Sequence, residues 1–120
     1  MSKNRTIQTK IQFIRGIDEH VLPSVYLTRS RDGSTGTATF KFKKAAILEK
    51  TPGNDGEITG MYLIDEEGIL ETRVVSIRFT KGKPKTIEAI YIMQSRKDWV
   101  RFIRFMERYN KRNGLEFIKY

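Results

Sequence analysis

The 120-residue chain contains no cysteine, which excludes a disulfide framework, thiol catalysis and any thiolate metal site. Its single histidine, His20, rules out a multi-histidine zinc or iron centre. The longest apolar run, Ala89 to Met93, has five residues, against the ~20 that a spanning helix needs. Met1 to Lys10 lack the apolar stretch of a secretory signal and are too short for an uncleaved transit peptide. The chain is therefore expected to act where it is made, or to be met already processed. Acid is also scarce: Asp and Glu total 14 against 23 Lys and Arg, a formal charge of +9. Such an excess points to a polyanionic partner, whether nucleic acid, an anionic membrane or an acidic protein face. At this length one domain with one modest core is expected. No repeat divides it, and the expected organisation is a flexible polar arm over 1–9 and a single domain over 10–120.

Up to Ser95 the dominant periodicity is two, the mark of half-buried strands. In Thr37 to Lys43, Ala38, Phe40 and Phe42 fall on one face, with Thr37, Thr39, Lys41 and Lys43 on the other. Val25 to Arg29 precedes this segment, and the turn between them carries Gly33 at a plausible left-handed position. The pair reads as a hairpin, with Ile11 to Arg15 a short strand ahead of it. Glu57 to Ile64 is apolar on both faces, which places it centrally, and Asp65-Glu66-Glu67-Gly68 forms a tight loop after it. The next strand changes phase. Leu70, Thr72 and Val74 share one face but Val75, Ile77 and Phe79 the other, which a β-bulge near Val74-Val75 would reconcile. Lys81-Gly82-Lys83-Pro84 then turns into Thr86 to Gln94. About six strands in hairpin order predict a curved antiparallel sheet, or an open barrel or sandwich.

The period then becomes helical. Ser95, with Asp98 three residues on, resembles a capping box. Trp99, Phe102, Ile103, Met106 and Tyr109 follow at helical spacing, and Asn113-Gly114 ends the helix. The prediction is an amphipathic helix of ~17 residues packed on the sheet, making the fold α+β and mainly antiparallel β. The helix's opposite face bears Lys97, Arg101, Arg104, Arg108 and Lys111 in one basic stripe, with only Asp98 and Glu107 beside it in sequence. This stripe is either a solvated helix face or a surface for a polyanion. Leu115 to Lys119 reads as a short edge strand.

Catalytic signatures are absent. Gly33-Ser34-Thr35-Gly36 is not the Gly-x-Ser-x-Gly elbow, and Gly82-Lys83 lacks the rest of a phosphate loop. Asp65, Glu66 and Glu67 are either solvated turn residues or ligands for a hard cation. Asp18-Glu19-His20 is either a polar loop or a small acid–base cluster, and Trp99 and Tyr109 belong to the packing face. On the residues alone the chain is a basic α+β binding module, expected to carry no metal, nucleotide or pigment. Small curved β-domains with basic strands can bind single-stranded RNA, so RNA or a ribosome is one class of partner.

Six strings narrow the choice. They are Ile11-Gln12-Phe13 with Arg15-Gly16, Leu27 to Gly33, Gly36 to Phe40, Ile58 to Tyr62, Ile64 to Gly68, and Arg104 to Tyr109. In order, from about Lys10 to Phe117, they closely resemble the Psb28 family of photosystem II assembly factors, also called thirteen-kilodalton or PsbW-like proteins. The resemblance implies a non-catalytic, cofactor-free protein held peripherally on the stromal or cytoplasmic side of the thylakoid. Its implied partners are photosystem II intermediates containing the reaction-centre core and the larger inner chlorophyll antenna, bound transiently, with no specific nucleic acid. The free protein is expected to be a monomer. Fourteen isoleucines and many lysines favour a plastid-encoded algal protein over a cyanobacterial one. Within these strings, the expected partner contacts are Arg29, Arg31, Asp32, Gly33, Thr59, Tyr62 and Arg104. Strand addition at a sheet edge is the expected docking mode, and the net charge would draw the chain towards anionic thylakoid lipid.

Overall fold

The computed structural model describes residues 7–50 and 57–114. Among these residues eight strands form two four-stranded antiparallel sheets, with a short helix and a long one towards the C-terminus. The strands are β1 (Lys10–Ile14), β2 (Ile17–Asp18), β3 (Ser24–Arg29), β4 (Gly36–Lys43), β5 (Met61–Asp65), β6 (Gly68–Thr72), β7 (Val75–Thr80) and β8 (Lys83–Met93). Helix α1 spans Ala46–Lys50 and α2 spans Arg96–Arg112. The first sheet has the order β2-β1-β5-β6 and the second β3-β4-β8-β7. The α+β, mainly antiparallel class read from the sequence holds, and the sheets do not close into a barrel.

Three of the pairings, β3–β4, β5–β6 and β7–β8, are the expected hairpins. The order as a whole is not sequential, because β1 pairs with β5 and β4 pairs with β8 across long stretches of chain. β5 is buried from end to end, and an apolar strand of that kind needs a neighbour on each side and cover on both faces. It starts at Met61 rather than Glu57. The count is eight instead of six for two reasons. Ile17–Asp18 folds back on β1, and the segment that changes phase is two strands. Thr72 ends β6 and Val75 begins β7 in the other sheet, so the residues between them carry the chain from one sheet to the next and no bulge is needed there. Thr72 Oγ1 donates to the Ile90 carbonyl at 2.7 Å and accepts from Val74 N, while Ile90 N donates to the Val74 carbonyl at 3.0 Å. The register irregularity in this region lies instead at Arg78/Phe79.

The core sits between the sheets and under α2. Ile11, Phe13, Met61 and Leu63 enter from the first sheet, and Ala38, Phe40, Phe42, Ile87, Ala89 and Met93 from the second. Phe13 meets Phe42 edge-on at 4.9 Å between ring centroids, joining the two layers. Trp99, Phe102, Phe105, Met106 and Tyr109 line the inner face of α2, with Phe102 edge-on to Phe40. Phe105 is fully buried, whereas Ile103, assigned to the core by spacing, only packs against its margin. Ser95 caps α2 by accepting from Asp98 N at 3.0 Å, and Asp98 reaches back to Gln94 N at 3.1 Å. Asn113 and Gly114 close the other end, Gly114 with φ +70°. Residues 1–6 of the expected arm and the expected edge strand at 115–119 lie outside the described residues. The end of the arm is held, since Arg112 donates to Gln8 Oε1 and to the Thr9 carbonyl.

Gly36, where β4 begins, is the tightest seam between the second sheet and α2. A Cβ there would lie 2.8 Å from the Thr28 carbonyl oxygen and 2.9 Å from the Trp99 ring. Because one neighbour is backbone, Gly36→Ala is expected to cost about 1–3 kcal/mol, read as a lower midpoint in urea unfolding with an unchanged slope.

Candidate functional site

The β3–β4 turn is built from short polar side chains that bond to their own backbone. Asp32 Oδ1 accepts from Ser30 Oγ, Ser34 N and Ser34 Oγ at 2.6–2.9 Å. The Ser34 hydroxyl first, then its amide and the Ser30 hydroxyl, draw the Asp32 carboxyl down to about 2. Ser30 Oγ also accepts from Thr35 N, and Gly33, at φ +75°, supplies the left-handed residue. Arg29 folds over the Trp99 ring at 4.5 Å and donates to the Gly33 carbonyl, while Arg96 of α2 donates to the Asp32 carbonyl. Four predicted contacts, Arg29, Arg31, Asp32 and Gly33, are thus gathered on one tip braced against α2. Arg31 is exposed and is the one described arginine with no hydrogen bond, ion pair or aromatic-ring contact among the described residues.

Beside the tip runs an open groove of about 400 Å³, lined by Thr28, Arg29, Ser30, Gly36, Ile92 and Met93 among others. Its outer wall is β3, which among the described residues is an edge strand paired only with β4. Tyr26 on that strand is 58% exposed, and Ile92 is half exposed on β8. The other three predicted contacts lie elsewhere. Thr59 Oγ1 and Tyr62 OH share a hydrogen bond of 2.9 Å at the start of the first sheet, with the Arg15 guanidinium over the Tyr62 ring.

Arg104 belongs to a third place, the basic stripe. The stripe faces the β5–β6 turn, and its arginines are spent there. Arg101 grips Asp65 bidentately at 2.7 and 2.9 Å, and Arg108 donates to both Asp65 and Glu67. Arg104 holds Glu67 bidentately at 2.7 and 2.8 Å. Asp65 is only 1% exposed. Burial works to raise its pKa, but the Arg101 and Arg108 hydrogen bonds outweigh that and hold the carboxyl below its usual range. Arg104 and Arg108 pull Glu67 down to about 2. Asp65 and Glu67 of the acidic loop are therefore held by arginines, Asp65 out of contact with solvent, and neither is set to receive a hard cation. Asp65 is separated from its two arginines by 36 and 43 positions, which is why spacing along the helix did not expose the pairing.

Glu19 is a second residue whose role the sequence hid. It is buried, and its carboxylate accepts from Val21 N, Ala46 N and Ile47 N, capping α1. The Asp18-Glu19-His20 segment is thus structural at its centre.

Comparison with known proteins decides the ancestry. Residues 11–117 match the Psb28 protein family. The chain belongs to the Psb28 family. It is 67% identical over 113 residues to the photosystem II reaction center Psb28 protein of Phaeodactylum tricornutum, covering 94% of this chain and 98% of that one. The Guillardia theta Psb28 protein is 64% identical over 109 residues, 91% and 94% of the two chains. The chloroplastic Psb28 protein of Arabidopsis thaliana is 51% identical over 113 residues, which span 94% of this chain and 61% of that one.

The arginine network yields a pH dependence. Asp65 and Glu67 titrate lower in the folded than in the unfolded chain, so the unfolded state binds more protons as pH falls through that interval. Their contribution is complete above the unfolded values and is lost on acidification. Urea midpoints are expected to hold down to about pH 5 and then fall towards about pH 2. At neutral pH, Asp65→Asn should cost about 3 kcal/mol by removing the buried charge that two partly buried guanidinium groups share. Arg104→Ala, on an exposed side chain, should cost less than about 1 kcal/mol.

Proposed function

We propose that the chain is a non-catalytic assembly factor that docks transiently on photosystem II intermediates, peripherally and on the stromal or cytoplasmic face of the thylakoid. Its relatives' names supply the partner, since each is called a photosystem II reaction center protein, and one is called chloroplastic. The surface that fits this role best is the β3–β4 tip with its groove and edge. β3 is a regular six-residue strand without a bulge or an internal proline. β7 carries a register irregularity, and β2 has only two residues. An extended segment of the reaction-centre core or the larger inner antenna could pair with β3 through its backbone and place side chains in the groove. Arg31 would then set the register through a charge-assisted hydrogen bond at the tip.

The unpaired Arg31 on a braced turn carries this reading. The competing RNA or ribosome reading rests on basic strands together with the helix stripe, and in that stripe Arg101, Arg104 and Arg108 are already bound to Asp65 and Glu67. Arg31→Ala should weaken capture of photosystem II intermediates from solubilised membranes by about tenfold or more, while Lys97→Ala should change it less than about twofold. Equal losses for both variants, each with a shallower salt dependence, would instead favour nucleic acid.

A further inference from the structure

The arginines and lysines of this chain do different work. Arg15, Arg29, Arg73, Arg78, Arg96, Arg101, Arg104, Arg108 and Arg112 each have a partner within the chain. Among the described lysines, Lys10 and Lys41 are ion-paired, to Asp18 and Glu88. Lys43, Lys44, Lys81, Lys83 and Lys85 are all exposed and have no ion pair among the described residues, and the sheet brings them to one end. Lys43 lies opposite Thr86 in the β4–β8 ladder. Lys44 N donates to the Lys85 carbonyl at 2.7 Å, and Thr80 pairs with Lys83 across the β7–β8 turn.

We infer that this lysine-bearing end of the second sheet is a docking surface for anionic lipid headgroups, with Phe79 as its apolar anchor. Phe79 is 64% exposed, the most exposed of the large apolar side chains described, and it lies opposite Pro84 at the base of the same turn. The two non-glycine residues with positive φ are both lysines of this cluster, Lys44 at 56° and Lys81 at 53°. Glycine or asparagine would suit such positions better, so the backbone carries mild strain where two of the charges sit. Glu49 is the one acid lining the shallow recess between Lys44, Lys83 and Lys85. Lysine, a compact and strongly hydrated charge on a flexible stem, can follow a diffuse anionic surface without a fixed geometry. One exposed aromatic beside clustered lysines matches a bilayer interface better than a base-stacking platform, which needs aromatics in series. The inference goes beyond photosystem docking and is independent of it, since isolated protein and pure lipid suffice to test it.

The experiment is co-sedimentation with vesicles of neutral lipid alone and of neutral lipid with about one third phosphatidylglycerol, a fraction chosen to give a strongly negative surface. Binding is expected only to the anionic vesicles. Lys81→Ala with Lys83→Ala should weaken it about 25-fold, at about fivefold per lysine, and Lys81→Arg with Lys83→Arg should restore it. Lys97→Ala with Lys111→Ala, on α2, should change it less than about threefold. Phe79→Ala should weaken vesicle binding by several-fold while leaving the affinity for a single-stranded RNA oligomer unchanged. Failure to bind anionic vesicles would overturn the proposal. So would equal losses from the two lysine pairs, an inert Phe79→Ala, or a larger loss of RNA affinity than of vesicle affinity in the hairpin variant. Circular dichroism melting of each variant separates these outcomes from loss of fold.

Discussion

The buried carboxylate of Asp65, at the end of β5, is the constraint on which the position of α2 depends. A charge so enclosed survives only with partners that neutralise it and satisfy its lone pairs, and α2 supplies them from two positions about two turns apart. Arg101 and Arg108 both reach Asp65 from one helix stripe while Trp99, Phe102, Phe105 and Tyr109 enter the core from the other. The ion pairs and the apolar face thus fix the rotation of the helix about its axis independently. The same helix touches β5 and β8, one strand from each sheet. Its N-terminal turn braces the β3–β4 tip through Arg96 and Trp99. A displacement at Asp65 would be felt at the proposed docking surface through this single rigid element.

That arrangement divides the basic residues by task. Guanidinium groups bond in fixed forks and are used inside the molecule, on carboxylates, on carbonyls and on aromatic rings. Ammonium groups remain hydrated and collect at the surface. Net charge alone suggested a polyanion-binding protein; the pairing pattern shows that much of the positive charge is internal glue, leaving Arg31 at one site and a lysine cluster at another. The two surfaces are separate, so a protein partner at the tip and a lipid surface at the β7–β8 end are compatible in one bound state.

The legible part of this structure was whatever a short stretch of chain decides. The alternation in β4, the two-faced burial of β5, the capping of α2 by Ser95 and its stop at Asn113-Gly114 are local patterns, and each is present as read. What stayed hidden depends on distant pairing. Strand order across β1–β5 and β4–β8, the grip of α2 on the acidic turn and the capping of α1 by Glu19 join residues far apart in sequence. Composition cannot tell a solvated Glu67 from one held by two arginines. The phase change after Thr72 was visible, but a bulge and a change of sheet leave the same trace in a single strand's alternation. Of the candidate contacts, four converge on the tip; the strings that carried the family resemblance also include Thr59, Tyr62 and Arg104, whose bonds are internal.

The crossing at Thr72 has a bearing on how this chain can vary in length. Thr72 and Val74 both hold Ile90, from opposite sides of the jump between sheets. Strand faces alternate with every residue, so one residue more or less between Thr72 and Val75 would invert either β6 or β7. Ile77 would be turned towards water, or Leu70 away from the core margin it now packs against. Gly60 tightens the restriction, since its Cα lies too close to the Thr72 carbonyl for any side chain. Insertions and deletions should therefore be absent at this point in related chains, even though Arg73 and Val74 are exposed and would pass, by their surface position alone, for an ordinary loop.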